Sequence, residues 1–341
     1  MNLKTGKLTH AGIMVNYRCN ASCRHCLYSC SPARKAGYVD EKTAEEICRL
    51  LKKGDCHSVH IGGGEPFLNF DRLLMMVSQI KKAGIKLEYI ETNAFWAFKL
   101  PDETIIEKLN LLKKEGTDCL CISMDPFHVE YIPYAAPLKL GKLCQQAGME
   151  YFIWKQDYVK MLSKLDPDKT YNRKEMEDVF SPKYIFETAK NYGIGFGGRA
   201  VNIDEESGRK FSIGYLGSKG SSLSIFEYGE NSACKNLLST AHFHVDFECN
   251  FIPPRCTGII IPLSEAVDGI PNEKYPVFEK LYNEGITGLL EFSLQYGFSP
   301  DTSGYTSQCN LCFHIRHFMS KKGFWELDPD HYDEALKYYY D

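Results

Sequence analysis

The chain has 341 residues, of which 44% are hydrophobic and 25% are charged, so it is long enough for one large domain and a small one. Its net charge of −4 argues against a nucleic-acid-binding surface, and we find no run of about 18 apolar residues that would cross a membrane. Because its fourteen cysteines come without a secretory signal, we expect a cytoplasmic protein whose cysteines serve as metal ligands or core residues.

Strand-like and helix-like segments alternate over the first two thirds of the chain. The helix predicted at residues 40–53 is typical, because Asp40 can cap its start and Gly54 follows its end. The expected strands are 11–17, 58–61, 86–92, 119–124, 150–155 and one near 194–197. The other expected helices are 70–83, 102–115, 137–147 and 181–192. A polar insertion occupies residues 157–180.

This alternation predicts an α/β fold in which helical crossovers join six parallel strands. Right-handed crossovers curl such a sheet into a (β/α)6 partial TIM barrel, with its sites at the C-terminal ends of the strands. We expect the partial barrel over residues 1–200, a linker or loop over 201–230, and a small α+β domain over 231–341. In the last region, short strands are expected at 242–247 and 250–252, and helices at 277–283 and 310–321.

Three cysteines follow the first predicted strand within one short loop: Cys19, Cys23 and Cys26. Three thiolates can hold three irons of a cubane cluster, which leaves the fourth iron open to bind a small molecule. A zinc site is the alternative, and it requires a fourth ligand, which His25 or Cys30 could supply.

A glycine-rich turn, Gly62-Gly63-Gly64-Glu65-Pro66, follows the second predicted strand. Its glycines allow the backbone to pass close to a ligand, and Glu65 can accept hydrogen bonds from an ammonium group. Together with the Cys-x3-Cys-x2-Cys spacing, this turn resembles the radical S-adenosylmethionine (radical SAM) superfamily. The resemblance implies a [4Fe–4S] cluster on the three cysteines, SAM on its open iron, and contact between the glycine-rich turn and the SAM amino group. In that family, an electron from the cluster cleaves SAM to a 5′-deoxyadenosyl radical.

Polar residues at three further strand ends fit the same expected pocket. Thr92 and Asn93 follow the third strand, where they offer short polar side chains. Ser123 and Asp125 follow the fourth, where they could bind the ribose hydroxyls of SAM. Arg199 follows the sixth, where it could pair with the SAM carboxylate. Ordinary capping of the loops is the alternative for each of them.

A second group of cysteines lies in the C-terminal third. Cys309 and Cys312 form a Cys-x2-Cys pair, a common chelating unit, and with Cys234 and Cys256 they provide four thiolates. The run that ends at Cys256 resembles the hairpin of radical SAM auxiliary domains, of the SPASM and twitch types. That resemblance implies a second [4Fe–4S] cluster, with Cys249 as a turn residue. The full SPASM pattern of seven cysteines is absent, so zinc and a metal-free helix remain alternatives.

The resemblance implies an iron–sulfur-dependent, oxidoreductase-type enzyme that abstracts a hydrogen atom from its substrate. Relatives with auxiliary clusters often modify peptides or proteins, so we expect a peptide or protein substrate, an electron donor such as flavodoxin or ferredoxin, and a separate peptide-recognition protein. A small-molecule substrate from cofactor or natural-product biosynthesis is one alternative. A non-enzymatic iron–sulfur electron carrier or scaffold is another, against which the glycine-rich turn argues.

Overall fold

The computed structural model of the protein describes residues 2–193, 195, 197–206, 210–211 and 234–337. The helices are α1 Glu41–Lys53, α2 Phe70–Lys82, α3 Phe95–Lys99, α4 Asp102–Glu115, α5 Pro126–Val129, α6 Ala135–Ala147, α7 Gln156–Leu162, α8 Arg173–Val179, α9 Tyr184–Tyr192, α10 Val201–Glu206, α11 Leu263–Asp268, α12 Pro276–Leu294, α13 Gln308–Lys321 and α14 Pro329–Leu336. The strands are β1 Asn2–Leu3, β2 His10–Met14, β3 Ser58–Gly62, β4 Lys86–Thr92, β5 Cys119–Ile122, β6 Glu150–Ile153, β7 Phe243–Asp246, β8 Asn250–Ile252, β9 Ile261–Pro262 and β10 Ile270–Pro271.

The main sheet has the strand order β6-β5-β4-β3-β2-β7-β8-β9. Neighbours are parallel from β6 through β7, whereas β8 and β9 continue the sheet in antiparallel pairing. The chain is therefore a mixed α/β protein with a predominantly parallel sheet, as predicted. The C-terminal ends of its parallel strands lie along one edge, where the predicted site residues follow them.

Local sequence explains most of these elements. Asp40 caps α1 by accepting a hydrogen bond from the Thr43 backbone N–H, and the backbone N–H of Gly54 closes the helix on Leu50 and Lys52. The predicted helices at 70–83, 102–115 and 181–192 are confirmed to within about one turn, as is the helix at 310–321.

Some boundaries differ from the prediction. The predicted linker begins with helix α10, because Val201 and Ile203 are apolar and buried. The polar insertion contains two short helices, α7 and α8. The helix expected at 277–283 continues through the non-helical Gly285 to Leu294. The sixth strand predicted near 194–197 includes positions 194 and 196, which lie outside the described residues, as does most of 201–230.

Two apolar cores occupy the part of the molecule that the structure describes. The larger core lies between the main sheet and its flanking helices, and it includes Phe243 and Phe251 from the C-terminal hairpin. The smaller core joins α12, α13 and α14, and it includes Val201 from α10. The C-terminal residues therefore contribute both to the main sheet and to a core of their own. In the part of the chain described, no helix is long and apolar enough to cross a membrane.

Candidate functional site

The cysteine loop and the glycine-rich turn meet because they follow the adjacent strands β2 and β3. The Gly64 N–H donates to the Asn16 carbonyl at 2.9 Å, and the Glu65 N–H donates to the Arg18 carbonyl at 3.1 Å. A Cβ atom on Gly64 would lie 2.0 Å from the Arg18 carbonyl oxygen. Glycine is thus required here by the close approach of the cysteine loop itself, in addition to any ligand.

A cavity of about 300 Å³ lies where these two segments meet the ends of β4 and β5. The predicted residues that line it are Cys19, Cys23, Cys26, Gly63, Gly64, Pro66, Thr92, Asn93 and Ser123. The predicted residues that do not line it are Gly62, Glu65, Asp125 and Arg199. Side chains that complete the wall include His25, Tyr28, Glu91, His128, Trp154 and Tyr192.

The three cysteine thiols fit the requirements of cluster ligands. The sulfur of Cys19 accepts hydrogen bonds from the Ala21 N–H at 3.4 Å and from Asn93 Nδ2 at 3.6 Å. The Cys30 N–H donates to the sulfur of Cys26 at 3.3 Å. Such donors stabilise the negative charge on ligating sulfurs and tune an iron–sulfur cluster. All three thiols line the cavity, and their role as the ligands of a cluster stays a prediction.

Glu65 holds the neighbouring strand end in place. Its Oε1 accepts hydrogen bonds from the Phe67 N–H at 3.0 Å and the Thr92 hydroxyl at 2.8 Å, and its Oε2 accepts one from the Asn93 N–H at 2.7 Å. Burial raises the pKa of Glu65 to about 7, although these hydrogen bonds oppose the rise. Its carboxylate is directed into this network rather than into the cavity, so contact with a SAM ammonium stays a prediction.

Asp125 fixes the side chain of His128, one of the two histidines that line the cavity. Its Oδ1 caps α5 by accepting from the Phe127 and His128 N–H groups, and its Oδ2 lies 2.7 Å from His128 Nδ1. Burial alone would raise the pKa of Asp125, but the two neighbouring histidines hold it well below its usual range. Burial likewise opposes protonation of His128, and the Asp125 carboxylate nevertheless raises the pKa of that imidazole well above its ordinary value. The expected ribose contact of Asp125 stays a prediction.

Arg199 is buried beneath the cysteine loop, at 1% exposure. Its Nε donates to the Cys23 carbonyl at 3.0 Å, its Nη2 donates to the Cys30 carbonyl, and its backbone N–H donates to the Cys26 carbonyl at 3.0 Å. The guanidinium therefore fixes the shape of the loop that carries the three thiols. Pairing with a SAM carboxylate stays a prediction.

The four C-terminal cysteines come together from separate segments. Burial raises the pKa of Cys234 well above its ordinary value, and the neighbouring thiols of Cys256, Cys312 and Cys309 raise it further. Arg316 is buried beside them, donates from Nη1 to the Thr257 carbonyl at 2.8 Å, and interacts electrostatically with Cys256 and Cys312. A guanidinium in this position would stabilise thiolates, the form that binds a metal.

Cys249 occupies the turn between β7 and β8, as the sequence predicted. Its φ angle is 66°, in the left-handed region that favours glycine. Asp246 organises the same turn by accepting hydrogen bonds from the Glu248 and Asn250 N–H groups at 3.0 and 2.9 Å.

Sequence reasoning missed a group of histidines beside the cavity: His10, His60, His242 and His244. His60 lies 3.9 Å from the cavity residue Glu91, and the His244 ring lies 5.1 Å from that of Tyr28. Burial, together with the other histidines, lowers the pKa of His244 to about 3 and that of His60 well below its ordinary value. These four histidines are far apart in sequence, so no motif spacing pointed to them. The signal that the sequence did contain is that each of them lies within or beside a predicted short strand.

Two protein relatives match parts of the chain. YydG of Bacillus subtilis (strain 168), a protein named for peptide biosynthesis, is 28% identical over 120 residues, which are 35% of this chain and 37% of YydG. The 7-carboxy-7-deazaguanine synthase of Methanospirillum hungatei JF-1 is 39% identical over 90 residues, which are 26% of this chain and 36% of that protein. The chain thus matches little more than a third of the length of either relative.

Solved structures provide a further comparison. The structure of anSMEcpe with bound AdoMet and the Kp18Cys peptide aligns with a TM-score of 0.45 at 14% identity, over 92% of this chain and 97% of that chain. The complex of BtrN with AdoMet and 2-DOIA aligns with a TM-score of 0.42 at 15% identity, over 84% and 90%. A family model described as the radical SAM superfamily matches residues 13–143, the segment that contains the cysteine loop and the glycine-rich turn. Residues 13–143, well under half of the chain, are therefore similar to the radical SAM superfamily.

Proposed function

We propose that the protein is a radical SAM enzyme that reductively cleaves SAM and abstracts a hydrogen atom from its substrate. One observation carries this proposal: the thiols of Cys19, Cys23 and Cys26 line the same cavity as Gly63 and Gly64 of the glycine-rich turn. A closed four-cysteine cluster in an electron carrier would have no use for such a cavity. When bound, the [4Fe–4S] cluster and SAM supply the 5′-deoxyadenosyl radical that removes the hydrogen atom.

The chain contributes binding, orientation and exclusion of water at this cavity. Gly63 and Gly64 bring the backbone to the cavity wall without a side chain in the way of SAM, and Thr92, Asn93 and Ser123 offer it hydrogen bonds from the neighbouring strand ends. Glu65, Asp125 and Arg199 belong to the proposed binding set as residues that position these groups. For Glu65 to contact the SAM ammonium group as expected, its Oε2 must accept a second hydrogen bond. That bond would use a lone pair that the Asn93 N–H does not occupy.

For the substrate, we propose a peptide or protein. The match to a relative named for peptide biosynthesis supports this class. An enzyme of this kind needs an external reductant, so we include flavodoxin or ferredoxin as the electron donor and a separate peptide-recognition protein as a partner. A small-molecule substrate is the second candidate, because 7-carboxy-7-deazaguanine synthase matches the chain at higher identity over a shorter segment.

We further propose that Cys234, Cys256, Cys309 and Cys312 hold an auxiliary [4Fe–4S] cluster in the region 231–341. The thiols of Cys256, Cys309 and Cys312 raise the pKa of Cys234, and those of Cys256 and Cys312 raise the pKa of Cys309, which requires that the four sulfurs lie near each other. The raised pKa values of Cys234, Cys256 and Cys309 keep these thiols neutral without a metal, but the buried Arg316 opposes the rise and would stabilise the thiolates that a cluster requires.

The decisive experiment measures 5′-deoxyadenosine after anaerobic reduction of the reconstituted protein with SAM. The wild-type protein should form 5′-deoxyadenosine, and the variant with Cys19, Cys23 and Cys26 all changed to alanine should form none. Cys48→Ala is the matched control, because Cys48 is buried in the core on α1 and away from the cavity. SAM cleavage by the triple variant, or none by the wild type, would refute the proposal.

A further inference from the structure

We propose that His60, His242 and His244 bind a divalent first-row transition-metal ion, at a site separate from both groups of cysteines. One ring nitrogen from each of the three histidines lies within 4.8 Å of the others. His60 is part of strand β3, His244 is part of strand β7, and His242 directly precedes β7. A metal ion held by them would connect β3 to β7 across the intervening strand β2.

The strand register brings the histidines together over a glycine. Gly12 in β2 is the direct partner of His60 on one side and of His244 on the other. A Cβ atom on Gly12 would lie 2.3 Å from His244 Cδ2 and 2.5 Å from His60 Cε1. Any side chain at position 12 would therefore occupy the space in which the two imidazoles meet.

A hydrogen-bonded chain orients the His60 imidazole. Its Nδ1 lies 2.8 Å from His10 Nε2, and His10 Nδ1 lies 2.8 Å from the hydroxyl of Ser58. If His60 donates from Nδ1 and His10 donates onward to Ser58, the Nε2 lone pair of His60 is left for a metal ion. Metal-ligating histidines commonly have such a partner on the second ring nitrogen, which fixes the tautomer and the ring orientation.

The remaining histidines suit ligand roles. Within the described residues, the rings of His242 and His244 contact other rings and make no hydrogen bond. The nitrogens of both rings are accessible to solvent and are engaged by no protein group of the described chain, so they are available to bind an ion. A metal ion uses one nitrogen from each ring, and neutral imidazole is the form that binds zinc and the neighbouring metals.

The three histidine nitrogens must move slightly closer together to bind zinc. Tetrahedral coordination with Zn–N bonds of about 2.0–2.1 Å places ligand nitrogens about 3.4 Å apart. His242 is exposed, so its side chain can rotate toward the other two rings and also gives the ion a path from solvent. Glu91 supplies a fourth ligand of suitable chemistry, since its Oε1 lies 3.9 Å from His60 Nε2. Because Glu91 also lines the cavity, the site would adjoin the proposed SAM pocket.

Zinc content measured on the full-length protein tests this inference. Wild-type protein, the double variant His242→Ala/His244→Ala and the control His57→Ala would each be equilibrated with Zn²⁺, desalted and analysed by mass spectrometry of the metal. The cysteines are common to all three proteins, so any zinc that they bind cancels in the comparison. His57 is an exposed histidine just before β3 and outside the cluster, so it controls for the loss of a surface imidazole. The double variant should contain about one zinc ion per chain fewer than the other two proteins.

Thermal unfolding provides a second readout, because an ion that binds only the folded state raises the melting temperature. Zn²⁺ should raise the melting temperature of the wild type and of His57→Ala by more than that of the double variant. If the double variant does not fold, the single substitution of the exposed His242 by glutamine replaces it in both measurements and should show the same loss. Equal zinc content in the wild type and the His242/His244 variants, or an equal loss in His57→Ala, would overturn the proposal.

Discussion

Glu65 is a buried carboxylate whose three hydrogen bonds hold the ends of two neighbouring strands together. Substitution by glutamine replaces one acceptor oxygen with an NH₂ group, which then faces the backbone N–H of Asn93 or the Phe67 and Thr92 donors. An unsatisfied buried donor costs about 1–3 kcal/mol. We therefore expect Glu65→Gln to lower the free energy of unfolding by that amount in urea denaturation.

The control for this substitution is Glu45→Gln, at an exposed position of α1. It should leave the free energy of unfolding within about 0.5 kcal/mol of the wild type. Equal stabilities of the Glu65→Gln and Glu45→Gln proteins would mean that the hydrogen bonds of Glu65 do not organise the strand ends.

Single residues show where sequence reasoning succeeds and where it stops. The spacing of Cys19, Cys23 and Cys26 was visible because ligands in one short loop leave a local pattern. The direction of the Arg199 side chain was not visible, because it depends on the path of a loop about 170 residues earlier in the chain. The contacts of His60 with His244 depend on strand pairing, which no local pattern specifies.

The β7–β8 hairpin carries a non-glycine residue in a conformation that suits glycine. Cys249 has a φ of 66°, and the left-handed conformation costs an L-residue about 1–2 kcal/mol. Cys249→Gly should therefore raise the free energy of unfolding by up to about 1 kcal/mol, the gain being reduced by lost contacts and by glycine's greater entropy in the unfolded chain. Because Cys249 is a turn residue in our assignment, the iron content of the reconstituted protein should not change.

Cys256→Gly is the matched comparison, because Cys256 is in the proposed ligand set. Iron analysis after anaerobic reconstitution should show a loss in Cys256→Gly only. A similar loss in Cys249→Gly would assign Cys249 as a ligand and contradict our reading of the hairpin.

The N-terminus of α12 is capped by a carboxylate from a distant segment. The Val277 N–H donates to Glu326 Oε1 at 2.7 Å, and the Phe278 N–H donates to Oε2 at 3.2 Å. Burial raises the pKa of Glu326 to about 7 from an ordinary value of 4.5, despite these hydrogen bonds. The folded state thus binds this proton more tightly than the unfolded state, so the contribution of Glu326 to stability falls as the pH rises from about 4.5 to about 7.

Glutamine at position 326 does not titrate, so it removes this pH dependence. The free energy of unfolding of the wild type, measured relative to that of Glu326→Gln, should fall by at most about 3 kcal/mol between pH 5 and pH 7. Above pH 7 the difference should level off. Urea denaturation at pH 5, 6, 7 and 8 measures the difference, with the exposed Glu273→Gln as control. Parallel stability profiles for the wild type and Glu326→Gln would contradict the assigned pKa.

At the level of elements, periodicity and capping predicted the first five parallel strands and most of the longer helices, namely α1, α2, α4, α6, α9 and α13. The sequence also indicated a strand near His242–Asp246, but it did not place that strand beside β2 in the main sheet. Strand order depends on which edges pair, and β7 reaches β2 across more than two hundred residues of chain. The linker expected at 201–230 suggested a separate small domain at 231–341, whereas Phe243 and Phe251 join the larger core.

Across the whole molecule, two groups of cysteines lie in different parts of the fold. Cys19, Cys23 and Cys26 come from one loop of the parallel sheet, whereas Cys234, Cys256, Cys309 and Cys312 converge from three segments around the smaller core.

If each group of cysteines holds one cubane cluster, each cluster should be lost independently of the other. The variant in which the first three cysteines are alanine should then retain about four irons per chain, with a broad absorbance near roughly 400 nm. The variant with Cys309→Ala and Cys312→Ala should also retain about four irons and should still bind SAM. It should also unfold more readily, because a metal site that joins separate segments stabilises the fold. Adding Cys309→Ala and Cys312→Ala to the first variant distinguishes the cases. Zinc that is lost on this addition would identify the C-terminal site as zinc-binding, and no loss of iron or zinc would mean that its four thiols are packed without a metal.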